Sequence, residues 1–133
     1  MTALEKRLIT ERYMRLVREN YHILRTDGRA RPLKRRRGLR SLEKWLTVIE
    51  EVCASLRSRS GKSAARARHD WLIARTITIW VFGEGSEASL QTQLTGPRTL
   101  NRRYVDGMME AAVRAIEEAA DEAGLLDGPV GKG

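Results

Sequence analysis

This sequence is poor in the features that most directly announce chemistry. It has one cysteine, Cys53, so no disulfide can form within the chain. It has two histidines, His22 and His69, and neither stands at a metal-ligand spacing. His69 and Asp70 are adjacent, which on a helix points them to different faces and excludes a dyad. Aromatic residues make up 5% of the chain, with a single phenylalanine, Phe82. That argues against a large sheet sandwich and against a base-stacking platform for single-stranded RNA. The longest apolar run, Trp71 to Phe82, is broken by Arg75 and falls well short of the ~20 residues a membrane span requires. No apolar stretch of secretory type follows the charged start at Glu5, Lys6, Arg7, Glu11 and Arg12. A cytoplasmic protein with no membrane partner is expected. Neither a cofactor nor a metal is expected, and the carboxylates past Asp106 read as a solvated helix face, not an acid/base pair. We expect no enzyme activity.

What the sequence has in quantity is arginine. Of 133 residues, 25 are basic and 17 acidic, for a net charge of +8 and a pI near 10.4. Twenty of the 25 basic residues are Arg, whose planar fork matches phosphate and base edges better than an ammonium does. Such a balance suits a polyanionic partner. At this length a single domain is expected, a small all-α one over residues 1–126, followed by a short disordered tail over 127–133.

Thr2 to Leu24 reads as a helix, with Ile9, Tyr13, Leu16, Val17 and Leu24 at helical spacing and Leu4 and Leu8 leading in. Asp27-Gly28 would end it. Arg25 to Arg40 is a basic tract in which Asp27 stands alone against eight cations, and Pro32 and Gly38 discourage a regular element. A loop, or a segment ordered only by an anion, is expected there, with Arg31, Lys34, Arg35, Arg36, Arg37 and Arg40 on phosphates. Ser41 then reads as the N-cap of an amphipathic helix bearing Leu42, Trp45, Leu46, Ile49, Val52, Cys53 and Leu56 on one face. Trp45 is expected in the core and Cys53 as a buried, inert thiol.

Arg57 to Arg68 reads as a second basic connection. Its Gly61-Lys62-Ser63 resembles the end of a phosphate-binding loop, but the first glycine of that motif would fall at Leu56 and no strand precedes it, so the reading fails. Trp71 to Phe82 carries two signals. Ile77, Ile79 and Val81 alternate with Thr76, Thr78 and Trp80, as in a strand that Gly83-Glu84-Gly85 could fold into a hairpin; Ile73, Ile77, Trp80 and Val81 also fit a helical face. The helix is the preferred expectation. A short helix from Ser86 to Leu94, a turn at Thr95-Gly96-Pro97 and a long last helix complete a helix-turn-helix over about 71–122. The last helix would bury Leu100, Tyr104, Met108, Ala111, Ala112 and Ala115, tolerate Gly107 where another helix packs close, and stop at Gly124-Leu125.

On that last helix Arg98, Asn101, Arg102 and Val105 share a face, flanked by Thr99 and Arg103. Arginine can bond guanine bidentately, asparagine adenine, and threonine a base or phosphate, and such residues are needed early in a recognition helix. Arg98, Thr99, Asn101 and Arg102 are the candidate base contacts and Arg103 a phosphate contact. The helix begins basic and ends with Glu117, Glu118, Asp121 and Glu122, an order that opposes its macrodipole. Helix stability does not explain it; a phosphate backbone at one end and a basic partner or solvent at the other would.

Three pieces of this stretch, Trp80-Val-Phe-Gly83, Leu94-Thr-Gly96 and Arg98-Thr-Leu-Asn-Arg-Arg103, resemble the C-terminal part of small phage or prophage helix-turn-helix regulators with sigma-region-4-like domains. Pro97 stands where those proteins usually carry a polar residue. The resemblance implies sequence-specific binding of double-stranded DNA and a role in transcription or phage DNA handling. The alternatives are a protein-interaction module that docks on a host protein such as RNA polymerase, and a basic RNA-binding protein. The Ala-rich face of Ala111, Ala112, Ala115, Ala119 and Ala120 suggests a homodimer, which would match two half-sites.

Overall fold

The computed structural model describes residues 1–24, 33–83 and 102–127, with 33–38 and 102–103 as backbone. Among the described residues every regular element is helical: α1 (Ala3–Leu24), α2 (Leu33–Arg57), α3 (Ala64–Ile77) with a π-helical turn over Thr78–Phe82, and α4 (Arg102–Glu122). None of these helices is long and apolar enough to cross a membrane.

Local chemistry sets three of the helix ends. Thr2 and Glu5 form a capping box: Glu5 N donates to Thr2 Oγ1 at 3.1 Å and Thr2 N to Glu5 Oε1 at 3.3 Å, satisfying two donors that a helix start leaves open. Ser63 caps α3, its hydroxyl accepting from Arg66 N at 3.2 Å. At the end of α4, Gly124 takes a φ of +79°, Gly124 N donates to Asp121 O and Leu125 N to Ala120 O. That pair of bonds is the Schellman stop expected from Gly124-Leu125.

Two helices start earlier than their apolar periodicity indicates. α2 begins at Leu33, so Leu33 to Arg40 is helical and not a loop, and Ser41 lies inside the helix instead of capping it. Leucine, lysine and arginine are strong helix formers, proline is no obstacle just before a helix start, and one interior glycine costs only about 1 kcal/mol. α3 begins at Ala64, so the connection from α2 is only residues 58–63. The Ala64, Ala65 and Ala67 turn favours helix by propensity while offering no apolar stripe to read.

The core forms where the four helices meet. Met14 and Val17 of α1, Trp45 and Ile49 of α2, Ile73 and Ile77 of α3, Ala112 and Ile116 of α4, and Leu126 are all buried. Tyr13 stacks on Trp45 with ring centroids 4.8 Å apart and planes 3° from parallel, joining α1 to α2. The stripe expected on α2 packs as read; Cys53 is buried, and burial pushes its thiol above its ordinary range, as expected of an inert cysteine. On α1 the buried line runs through Thr10, Met14, Val17 and Leu24, leaving Leu4 and Leu8 66% and 54% exposed. The buried hydroxyls of Thr10 and Thr76 donate to Lys6 O and Leu72 O one turn back, so neither is left unsatisfied.

Trp71 to Phe82 is helical, and the hairpin is set aside. The period-two pattern in its sequence nevertheless has a structural counterpart. Ile77 and Val81 enter the main core, while Ile79 between them packs with Val105 in a smaller cluster beside Trp80 and Met109. The π turn ends at Gly83, whose N donates to Ile79 O at 3.1 Å.

Two glycines should respond to alanine in opposite directions. A Cβ on Gly83 would meet Ile79 O at 2.7 Å, so Gly83→Ala should cost about 1–3 kcal/mol. A Cβ on Gly107 meets nothing within 4 Å, so no neighbour packs close there, and Gly107→Ala should stabilise by about 1 kcal/mol. Thermal melts of the two variants check both signs.

Candidate nucleic-acid interface

The turn between α2 and α3 is built around one ammonium. Lys62 Nζ donates to Ser55 O at 3.1 Å and Leu56 O at 3.2 Å, closing the carbonyl end of α2, and pairs with Asp70 Oδ2 at 2.8 Å. Asp70 is 3% exposed and also accepts from Arg66 Nε at 3.1 and 3.2 Å. The Lys62 and Arg66 bonds hold its carboxyl below the usual aspartate range against the opposing effect of burial. His69 faces outward beside it, so the two adjacent residues do lie on different sides of the helix.

This pairing decides the charge of α3. From Arg57 to Phe82 the only acidic residue is Asp70, and it is consumed internally. Arg59, Arg66, Arg68 and Arg75 are exposed around it. The sequence reading had placed Arg57 to Arg68 in a connection and missed this surface; the Ser63 cap before an alanine-rich turn was the available signal.

The expected contact residues fall into three groups. Arg98, Thr99 and Asn101 lie outside the described residues, as do the expected Ser86 to Leu94 helix, the expected turn at Gly96-Pro97, Arg31 and the residues past Asp127. Arg102 and Arg103 open α4. Lys34, Arg35, Arg36 and Arg37 occupy the opening turns of α2, and Arg40 follows with its side chain exposed.

Val105 departs from its expected position. It is 7% exposed, packed against Ile79, not on an outward face with the candidate base contacts. The buried stripe of α4 runs through Val105, Met108, Ala112, Val113, Ile116 and Ala120. The π turn brings Ile79 to α4, and that contact draws Val105 inward. The alanine face has a similar outcome: Ala112 and Ala120 are fully buried and Ala111, Ala115 and Ala119 pack against the same core. That face therefore packs largely within the chain, with Ala111, Ala115 and Ala119 partly buried.

Two carboxylates of α4, Glu110 near its middle and Asp121 at its acidic end, find basic partners in α1. Lys6 Nζ meets Asp121 Oδ2 at 3.0 Å, and Arg7 Nη1 meets Glu110 Oε1 at 2.7 Å while its Nε meets Glu11. The hydrogen bond from Arg7 lowers the pKa of Glu110, and its bonds to Glu110 and Glu11 raise that of Arg7. Asp121 and Glu110 are thereby engaged on the α1 side. Among the described residues no group of three His, Cys, Asp or Glu side chains is placed to hold a metal ion.

No protein-family model matches the chain, and neither a curated protein nor a solved structure does.

The Asp70 pairing makes a pH-dependent prediction. A carboxyl held low in the folded state contributes stability above its ordinary value of about 3.9 and loses it as pH falls through the folded value. Melting midpoints followed from pH 6 to pH 2 should therefore fall more steeply for the native protein than for Asp70→Asn. At neutral pH, Lys62→Ala should cost about 2–3 kcal/mol, because it removes the ammonium from the Leu56 carbonyl and one of the two cations from a buried carboxylate.

Proposed function

We propose that this protein binds double-stranded DNA and acts as a sequence-specific regulator of transcription or phage DNA handling. One observation supports the nucleic-acid part above the others. α2, α3 and α4 all begin without an acidic residue in their first turn, and all begin with cations: Lys34, Arg35 and Arg36 in α2, Arg66 in α3, Arg102 and Arg103 in α4. The positive end of a helix dipole disfavours each such cation by about 0.3–1 kcal/mol. α1, by contrast, opens with Glu5 in the arrangement the dipole favours. Three helix starts carry positive charge against their own electrostatics; at α3 Asp70 already pairs with Arg66, and at α2 and α4 a polyanion would relieve that cost. Base readout is assigned to Arg98, Thr99, Asn101 and Arg102, and phosphate contact to Arg103 and the cations from Arg31 to Arg40.

A second reading, docking on a host protein such as RNA polymerase, is supported by Leu4 and Leu8, one turn apart and largely exposed on α1. A partner retained from nuclease-treated lysate, and lost in a Leu4→Ser, Leu8→Ser variant, would favour it.

Electrophoretic shifts over a salt series test the leading reading. Binding should weaken steeply as salt rises, and replacing Arg35, Arg36 and Arg37 with Ala should flatten the salt slope by roughly one unit per lost phosphate contact on every duplex. Arg98→Ala or Asn101→Ala should cost about 1–3 kcal/mol on a selected site and little on random DNA. Absence of binding to any duplex at low salt overturns the proposal; equal losses on specific and random DNA overturn the recognition-helix assignment alone.

A further inference from the structure

The outer face of α3 carries something the arginine tracts do not. Ala64, Arg68, Trp71 and Arg75 follow one another at steps of four, three and four residues, so they share one face of the helix. Ile73 and Ile77, on the opposite side, are buried. Trp71 is 45% exposed, whereas Trp45 is 2% exposed in the core. The Arg75 guanidinium lies over the Trp71 ring, 5.4 Å from its centroid, which braces the indole from one side. Arg68 is exposed one turn nearer the helix start. The one acidic residue of the helix, Asp70, is buried and doubly paired, so α3 itself presents no free carboxylate to repel an anion.

We propose that this face binds single-stranded nucleic acid, with an unpaired base stacking on the Trp71 indole and a neighbouring phosphate meeting Arg68. Arg75 acts as a positioning residue that orients the ring. Stacking on an aromatic ring tolerates any base, so the contact requires no sequence. An anionic lipid surface would satisfy the arginines, but insertion calls for an apolar stripe, and this face offers a lone indole between charged residues and Ala64. The contact uses none of the residues from Arg98 to Arg103, and it stands or falls independently of the duplex-binding reading.

The test is fluorescence anisotropy with a labelled oligothymidylate and, in parallel, a labelled hairpin duplex. The native chain is compared with Trp71→Ala, Trp71→Phe and Arg68→Ala, each with its melting midpoint measured. Trp71→Ala should weaken oligothymidylate binding about tenfold or more, Trp71→Phe should retain most of it, and duplex binding should change less than twofold in both. Arg68→Ala should lower the salt slope on the single strand by about one unit. Oligothymidylate should quench native tryptophan emission, and much less so in Trp71→Phe. The proposal is overturned if the native chain does not bind oligothymidylate, if Trp71→Ala binds it like the native chain, if Trp71→Ala loses both strands equally, or if phosphatidylserine vesicles quench Trp71 and the oligonucleotide does not. Duplex binding that disappears in the Arg35, Arg36 and Arg37 variant while the Trp71 effects persist would separate the two sites.

Discussion

The corner between α2 and α3 depends on the Lys62 ammonium, which serves three acceptors at once. Two of them are carbonyls at the end of α2, where Ser55 O also accepts from Ser58 N, and the third is a carboxylate with almost no access to water. Each partner compensates the others: the carboxylate makes it favourable to hold a lysine against a helix end, and the lysine makes a buried aspartate tolerable. With that corner held, α3 sets Ile73 and Ile77 into the core and continues into the π turn, and the π turn in turn receives α4 through Ile79 and Val105.

The same interaction shapes the surface. Because Asp70 is neutralised inside the protein, the outer side of α3 is left with arginines and no counter-charge of its own. At α4 the arrangement is reversed: Glu110 and Asp121 are held by Arg7 and Lys6. Carboxylates are thus drawn into contacts between or within helices at both places, while much of the positive charge remains outward. Exposed ion pairs of this kind contribute little to stability; their effect here is on which sign of charge the molecule presents.

The helical class and most of the core were legible because burial in a helix leaves a regular imprint. Leu42, Trp45, Ile49, Val52 and Cys53 were readable from spacing alone, and Gly124-Leu125 announced its own stop. What escaped was structure supported by other means. Leu33 to Arg40 is helical by propensity with no apolar stripe, and Ala64 to Arg68 is helical by a serine cap and alanines. Val105 was assigned to the wrong side because its environment depends on Ile79, and nothing local in the sequence reveals that a π turn will bring Ile79 there. Trp71 read as the start of an apolar run, yet its neighbours four residues before and after in the helix, Ala67 and Arg75, do not extend a core face. The alternation of Ile77, Ile79 and Val81 was a true signal with another cause, a helix passing between two clusters.

The placement of α1 also has a consequence for how the chain is made. α1 packs against α2, the π turn and α4, and Lys6 and Asp121 are 115 residues apart in sequence. On a ribosome adding about 5–20 residues per second, Lys6 is made roughly 6–23 s before its partner Asp121 exists. During that interval α1 has only α2 and then the π turn to pack against. Until α4 is made, the side of the core that it covers among the described helices has no partner.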